Sequence, residues 1–391
     1  MNDNFLLNKE LSYIHDAGLY RQLSEIIPGN DSDRQMLNGK AIVNFASNDY
    51  LGLASDARLI GAVKKSSELY GVGAGASRLI SGNYDIHSQL EEKIAGLKRQ
   101  QAALVFPTGY MANLGCIITL MHHEEGLILA DKLIHASLFD ACRFSRATLR
   151  IYQHNDPSDL KKVLERFALK KPILIVTDGV FSMDGDIAPL PEICGLAKEY
   201  NASVMVDDAH ATGVLGKRGA GTADHFGLEN DIDIHMGTLS KACGVLGGFI
   251  AGKNELKEFL INKGRSFIYT TGIPPLLCAA SIKAIEIIES EPWRRDRLFQ
   301  VSGVVRNSLR TIGFNVIDGI TPIVPVIIGD NNLVVSMRDY LAENGILVGA
   351  VRYPTVPEGE ARLRISLQAV HSDEDIENLV SVMKKSAEKF L

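Results

Sequence analysis

No stretch of this 391-residue chain reaches the ~20 apolar residues that a membrane-crossing helix needs, so no membrane span is expected. Cysteine is scarce and scattered. Cys116, Cys142, Cys194, Cys243 and Cys278 form no C-x-x-C pair, and their number is odd. Such a set reads as reduced, mostly buried thiols rather than a disulfide framework. Positive charge is not in excess: 41 Lys and Arg stand against 47 Asp and Glu, a net charge of -6. That balance excludes nucleic acid and acidic membranes as obvious partners. Met1-Asn2-Asp3-Asn4-Phe5 offers no basic start and no apolar run, so it does not read as a signal peptide, and the cytoplasm is the expected compartment. There is no G-x-x-x-x-G-K-[ST] loop. Gly71-Val72-Gly73-Ala74-Gly75 follows a helical stretch rather than a strand, the wrong context for a dinucleotide loop. His122-His123-Glu124-Glu125 lacks the i, i+4 spacing of a helical metal site, and no metal is expected. Internal repeats and low-complexity segments are absent.

What is present suits a soluble enzyme of more than one lobe. The length exceeds the ~250–300 residues at which a single core stops growing. The apolar fraction of 46% and the charged fraction of 23% are ordinary for a globular chain. Residues 1–40 are polar and broken by Pro28-Gly29-Asn30, which predicts an N-terminal arm with helical pieces, counted here as 1–45. From about residue 41, short apolar runs alternate with amphipathic stretches, the pattern of α/β units. Strands are predicted at 102–106, 127–130, 173–177, 203–206 and 232–235. Each is a continuous apolar run, as when helices cover both faces of a parallel sheet. Pro292 and the basic run 294–297 predict a polar break, with a second lobe from near 285. Beyond it come a strand at 323–328, a helix at 333–343, strands at 346–351 and 362–367, and a last helix. Ser372 with Asp375 three residues on reads as the cap of that helix, and Ile376, Leu379, Val380 and Met383 recur at helical spacing. The predicted fold is therefore α/β. A large domain at 46–285 has a mostly parallel sheet flanked by helices, and a smaller C-terminal α/β domain spans 286–391.

Four segments carry chemistry, each just beyond a predicted strand. Val204-Met205-Val206-Asp207-Asp208-Ala209-His210 ends an apolar run in a carboxylate, with an imidazole three residues on. Ligands of open α/β sheets bind beyond the carboxyl ends of strands, so Asp207 could face a cofactor cation. Met236-Gly237-Thr238-Leu239-Ser240-Lys241 leads a lysine into a loop of small residues, where a planar ligand can approach the backbone. A lysine amine is a Schiff-base nucleophile once its pKa is lowered. Pro107-Thr108-Gly109-Tyr110-Met111-Ala112-Asn113 is a glycine turn into a helix, whose free N–H groups suit a phosphate. In Asp131-Lys132-Leu133-Ile134-His135-Ala136-Ser137, His135 could stack on a flat ring. Singly, each has a plainer reading: a turn-capping acid, a solvated lysine, an ordinary connection, a satisfied histidine.

Together, and with Asn44-Phe45-Ala46-Ser47-Asn48-Asp49-Tyr50-Leu51-Gly52-Leu53 and Thr177-Asp178-Gly179-Val180-Phe181-Ser182-Met183-Asp184-Gly185, the segments resemble the α-oxoamine synthases, fold-type I enzymes of pyridoxal 5'-phosphate (PLP). The likeness runs from about residue 44 to 371. It implies that Lys241 holds PLP as a Schiff base, that Asp207 pairs with the ring nitrogen, that His210 lies near the ring hydroxyl and that His135 stacks on the ring. These four are the implied catalytic residues. Gly109, Tyr110 and Thr238 correspond to phosphate ligands and Ser182 to a cofactor-pocket serine. Thr270 and Thr271 correspond to a segment that reaches the cofactor phosphate of a second subunit, which implies a homodimer with shared sites. Arg21, Asn48, Arg352, Thr355 and Arg364 correspond to substrate contacts. The implied reaction condenses an amino acid with an acyl-CoA or acyl-carrier-protein thioester, with loss of CO2. Within the family the likeness is to the branch that joins L-alanine to a pimeloyl group for biotin synthesis. The alternative is the branch that joins glycine to an acetyl group, and Tyr353, standing where the first branch usually has proline, bears on that choice. A PLP-fold binding protein without turnover could dispense with Lys241, and this chain keeps it.

Overall fold

The computed structural model of the chain describes residues 7–16, 19–29, 34–167 and 172–391. The start read above for a leader (1–5) and Asn30 of the predicted break lie outside them. Seven strands form the central sheet: β1 (Ala102–Phe106), β2 (Leu127–Asp131), β3 (Thr148–Tyr152), β4 (Ile173–Asp178), β5 (Ser203–Asp207), β6 (Ile234–Thr238) and β7 (Gly248–Gly252). Across the sheet they lie in the order β1-β7-β6-β5-β4-β2-β3. β7 runs antiparallel to both of its neighbours, and the other pairs are parallel. Because strand side chains alternate between faces, Ile128, Val176 and Met205 join one core cluster. Their chain neighbours Leu129, Ile175 and Val204 join another. Helices cover both faces, which is why β1, β2, β4 and β5 read as mostly apolar runs.

Two strands of this sheet were not expected. β3 is an edge strand with exposed Arg150 and Ile151, so its sequence carries no buried run. β7 is bounded by Gly248 and Gly252 and reads as part of the small-residue loop beside it. β6 begins at Ile234 rather than 232, with buried Ile232 still in the approach to the strand.

The C-terminal region holds a four-stranded sheet in the order Asn315–Val316, Ile323–Gly329, Ala361–Ser366, Gly349–Val351. The single strand expected at 346–351 is divided. Ile346–Leu347 leaves to pair in parallel with Lys40–Asn44, and Gly349–Val351 pairs antiparallel with 362–364. Lys40–Asn44 in turn pairs with Arg34–Leu37, and that strand with Ile26–Pro28. Among the described residues the N-terminal region thus holds one helix, Leu7–Asp16, followed by strands, instead of helical pieces alone. The polar break is narrower than predicted. Only Glu291 and Pro292 separate helix Pro275–Ser290 from helix Trp293–Ile312. The basic run lies inside the second helix, and Arg294 and Arg295 are buried with their guanidinium groups donating to the Leu51 and Ile288 carbonyls at 2.7 and 2.6 Å. Four charged residues in a row mimic a solvated stretch, but carbonyl acceptors make two of them interior. The last helix, Asp373–Phe390, starts at the Ser372–Asp375 capping box as expected.

Candidate active site

β4 and β5 end side by side, with Asp178 opposite Asp207 in the register and both carboxyls buried. Asp207 accepts the Ala209 N–H on Oδ1 and the Asn113 side-chain amide on Oδ2, each at 2.9 Å. Asp178 accepts the His135 backbone N–H at 2.7 Å. Burial, and then the neighbouring Asp207, push the Asp178 carboxyl well above the usual carboxylate range.

Lys241 follows β6 on a loop closed by backbone bonds from Leu239 to Gly247, Val245 to Leu239 and Gly244 to Lys241, at 2.8–2.9 Å. Its side chain is half-buried. Burial lowers the amine pKa to about 8, against the opposing pull of Asp207 and Asp178, while Arg364 adds to the lowering. A lysine so poised has a usable fraction of neutral, nucleophilic amine near neutral pH.

Next to that loop starts helix Gly109–Leu120, capped by the Thr108 hydroxyl, which accepts the Met111 N–H at 3.2 Å. The start of β7 abuts the turn: a Cβ on Gly248 would lie 2.5 Å from the Gly109 Cα. The Thr238 and Ser240 hydroxyls lie 2.6 Å apart at the end of β6. A helix N-terminus beside hydroxyls and close-packed glycines is an anion cradle. The Tyr110 hydroxyl is bound to Asp140, so what Tyr110 offers the cradle is its backbone.

His135 caps helix Ala136–Phe144. Its Nδ1 lies 2.7 Å from the Ser137 hydroxyl and accepts the Ser137 N–H at 3.2 Å. Desolvation lowers its pKa. His210 is buried, with Nδ1 2.6 Å from the Tyr50 hydroxyl, and burial together with Lys241 and Arg364 holds it well below the ordinary histidine value. Tyr50 is pushed up by burial. Arg364 ties this corner together. It donates to the Ser182 carbonyl and the Ser366 hydroxyl, each at 2.6 Å, to Asn48 at 3.2 Å and to Tyr50 at 3.4 Å.

The structure thus brings Lys241, Asp207, His135, His210, Ser182, Asn48 and Arg364 into connected surroundings. Arg21, Arg352 and Thr355 line a cavity of about 1010 Å³ that also takes in Met183, next to Ser182, and Gly349, paired with Arg364; there Arg21 donates to the Thr355 hydroxyl at 3.4 Å and Tyr353 is half exposed. Thr270 and Thr271 lie elsewhere. Thr271 bridges to Ser77, and the next residue, Gly272, donates to the Ala76 carbonyl at 3.0 Å. Among the described residues, no hydrogen bond ties either threonine to Lys241, Asp207 or Thr238.

Sequence reasoning gave no role to Asn113, Tyr50, Asp178 or Lys98. Asn113 lies one helical turn after Gly109, so spacing alone aims it where the glycine turn points. Lys98 gave no signal. It ends helix Asp85–Lys98, yet its buried ammonium donates to Asp208 at 2.9 Å, to Thr212 at 3.1 Å and to the Ala220 carbonyl at 2.6 Å. Asp208 also accepts the Thr222 hydroxyl at 2.5 Å.

Residues 40–383 match the family model of class I and II aminotransferases. The chain belongs to that family. Among its class I and II relatives is an 8-amino-7-oxononanoate synthase of Lysinibacillus sphaericus, 46% identical over 98% of each chain. A serine palmitoyltransferase from S. paucimobilis with a bound PLP–myriocin aldimine superposes with a TM-score of 0.93, at 31% identity over 99% of both chains. An 8-amino-7-oxononanoate synthase from Francisella tularensis gives a TM-score of 0.77, at 31% identity over 89% of this chain and 98% of that one. The family resemblance read from the motifs and the predicted α/β fold both hold.

Proposed function

We propose that the chain is a PLP-dependent acyltransferase that condenses L-alanine with a pimeloyl thioester, with loss of CO2, to 8-amino-7-oxononanoate, a step of biotin synthesis. One observation carries the reading: the Lys241 amine is held near a pKa of 8 beside the strand-end carboxylates Asp207 and Asp178. The relatives named for this reaction support the substrate pair.

The residues fit PLP. The Gly109–Tyr110 turn and Thr238 would take the phosphate, since Gly248 and Gly109 pack too closely for side chains and leave backbone N–H groups at the helix start. Asp207 would face the ring nitrogen, His135 the ring face, His210 the ring hydroxyl, Ser182 the pocket wall and Lys241 the aldehyde carbon. Bound PLP supplies an electron sink for charge at the amino acid Cα. Lys241 Nζ takes up the Cα proton and later returns one, a task matched to a base whose pKa lies near the working pH. Asp207 keeps its orientation because both of its oxygens are held by N–H donors. Arg364 braces Asn48 and the Ser182 backbone behind the amino acid, and its guanidinium fork suits a carboxylate. Arg352, Arg21 and Thr355 offer the cavity wall to the substrates, with coenzyme A or a carrier protein as the thioester carrier.

The proposal includes a homodimer. Val72, Leu79, Ile80 and Tyr269 are exposed apolar residues around the Ser77–Thr271 bridge, a surface that a second copy would cover while Thr270 and Thr271 close its phosphate pocket. It also includes the cytoplasm as the place of work and the division of the chain at 45 and 285. Among the described residues no helix is long and apolar enough to cross a membrane. The test is to supply purified chain and PLP with alanine or glycine and with pimeloyl-CoA or acetyl-CoA, and to identify the ketone by mass spectrometry. Alanine with pimeloyl-CoA should be the fastest pair. Faster condensation of glycine with acetyl-CoA would overturn the substrate assignment.

A further inference from the structure

A chain of hydrogen bonds runs from Asp207 through Asn113 and Ser137 to His135. Asn113 is 1% exposed and sits one turn into the helix that begins at Gly109. Its Nδ2 lies 2.9 Å from Asp207 Oδ2 and 2.9 Å from the Ser137 Oγ. An ionised carboxylate only accepts, so the NH2 of the amide must face Asp207 and the oxygen must face away. The two protons of that NH2 have two acceptors, Asp207 and Ser137. His135 Nδ1 accepts the Ser137 N–H at 3.2 Å and so carries no proton; the Ser137 hydroxyl, 2.7 Å away, donates to it while its oxygen accepts from Asn113. Nδ1 therefore receives donors, and the ring proton belongs on Nε2.

A second observation shows that the amide is there for its donors. Among the described residues the buried Asn113 Oδ1 has no hydrogen-bond partner. An unsatisfied buried acceptor is unfavourable and uncommon, so a side chain chosen only to fill this space would be apolar. We infer that Asn113 is a positioning residue: through its two N–H groups it sets the direction of the Asp207 carboxylate and holds the Ser137 hydroxyl in the orientation that donates to His135 Nδ1, backing the neutral Nε2–H tautomer. The inference rests on the PLP reading in that Asp207 and His135 then face the two polar demands of one ring, its nitrogen and its face. A neutral imidazole adds no positive charge beside a protonated ring nitrogen, and its Nε2–H stays available as a donor.

The test uses the full chain without cofactor, labelled with 15N-histidine, with His135→Gln to assign the resonance. The expected result is a single tautomer with Nδ1 unprotonated. Asn113→Leu, which keeps the volume and removes both donors, should shift the His135 resonances by leaving the Ser137 hydroxyl unanchored, so that it no longer donates steadily to Nδ1. In the PLP-loaded enzyme the same variant should lower kcat about 10- to 100-fold, the usual loss when a supporting hydrogen bond to a working group is removed, with KM for the amino acid little changed. Ser137→Ala should shift the same resonances while leaving the Asn113–Asp207 bond. A His135 protonated on Nδ1 in the unsubstituted chain, or an Asn113→Leu chain with unchanged resonances and unchanged kcat, would overturn the inference. Failure of the unsubstituted chain to bind PLP would instead overturn the functional reading, because the tautomer is read without cofactor.

Discussion

Lys98→Met should destabilise the chain by about 3–5 kcal/mol, the range for breaking a buried ion pair by removing one partner. The Lys98 and Asp208 side chains are 1% and 2% exposed, so water cannot replace the lost contact. The three donors of the ammonium are all engaged, by Asp208, Thr212 and the Ala220 carbonyl. Methionine retains the unbranched stem, so the loss is chiefly that of the charge partner rather than of packing. An unfolding entropy of about 2.1 cal/mol/K per residue over a chain of this length gives roughly 0.8 kcal/mol/K, and the melting temperature should fall by about 4–6 °C if the chain unfolds as one unit. The assay is calorimetric and denaturant unfolding of the cofactor-free chain, which keeps ligand binding out of the comparison. Adding Asp208→Asn to Lys98→Met should recover more than half of the loss, because the neutral amide can still accept from Thr222. A loss below 1 kcal/mol in the single variant, or no recovery in the double, would refute the reasoning.

The cofactor-free chain should capture PLP at a rate that rises about tenfold per pH unit up to pH 8 and levels above it, following the neutral fraction of Lys241. A rate still climbing toward pH 10, as for an ordinary lysine, would count against its burial. His154 lies between Asp131 and Asp186 at 3.0 and 2.8 Å, and their hydrogen bonds outweigh burial to raise its pKa to about 10. A raised histidine stabilises the fold fully below pH 6.5 and loses that contribution as pH climbs toward 10. The stability of the chain should therefore fall by up to about 1.4 kcal/mol per pH unit more steeply than that of His154→Gln in this window. Equal slopes would sink the assignment. Heterodimers of Lys241→Ala and Thr271→Val chains should regain activity that both homodimers lack, since one of their two sites then holds both intact contributions. Heterodimers shown to form and yet inactive would count against shared sites.

The sheet and its chemical edge were legible because burial on both faces leaves a mostly apolar run, and because Asp207, His135 and Lys241 lie at or just past the ends of predicted strands. β3 and β7 were not, since an edge strand needs no apolar face and a strand bounded by glycines looks like a loop. The site's supporting polar groups were the least legible. Asn113, Tyr50 and Asp178 sit inside recognisable motifs, but what each holds depends on elements far away in the chain. Lys98 has its partners 110 and more residues on, and only folding brings them to it. The split at 346–351 was hidden for a related reason: six apolar residues serve two sheets, and which residues pair where depends on Lys40–Asn44, some 300 residues earlier.

That pairing has a consequence for synthesis. Lys40–Asn44 is made some 300 residues before its parallel neighbour Ile346–Leu347. At ~5–20 residues per second a ribosome needs roughly 15–60 s to cover the distance. Throughout that interval one edge of the nascent N-terminal sheet lacks its native neighbour, and open edges are templates for the wrong chain. Lys40, exposed at the start of the open strand, puts a charge on that edge, which discourages such pairing. A sheet whose strands lie that far apart in the chain stays incomplete for as long as the intervening residues take to make.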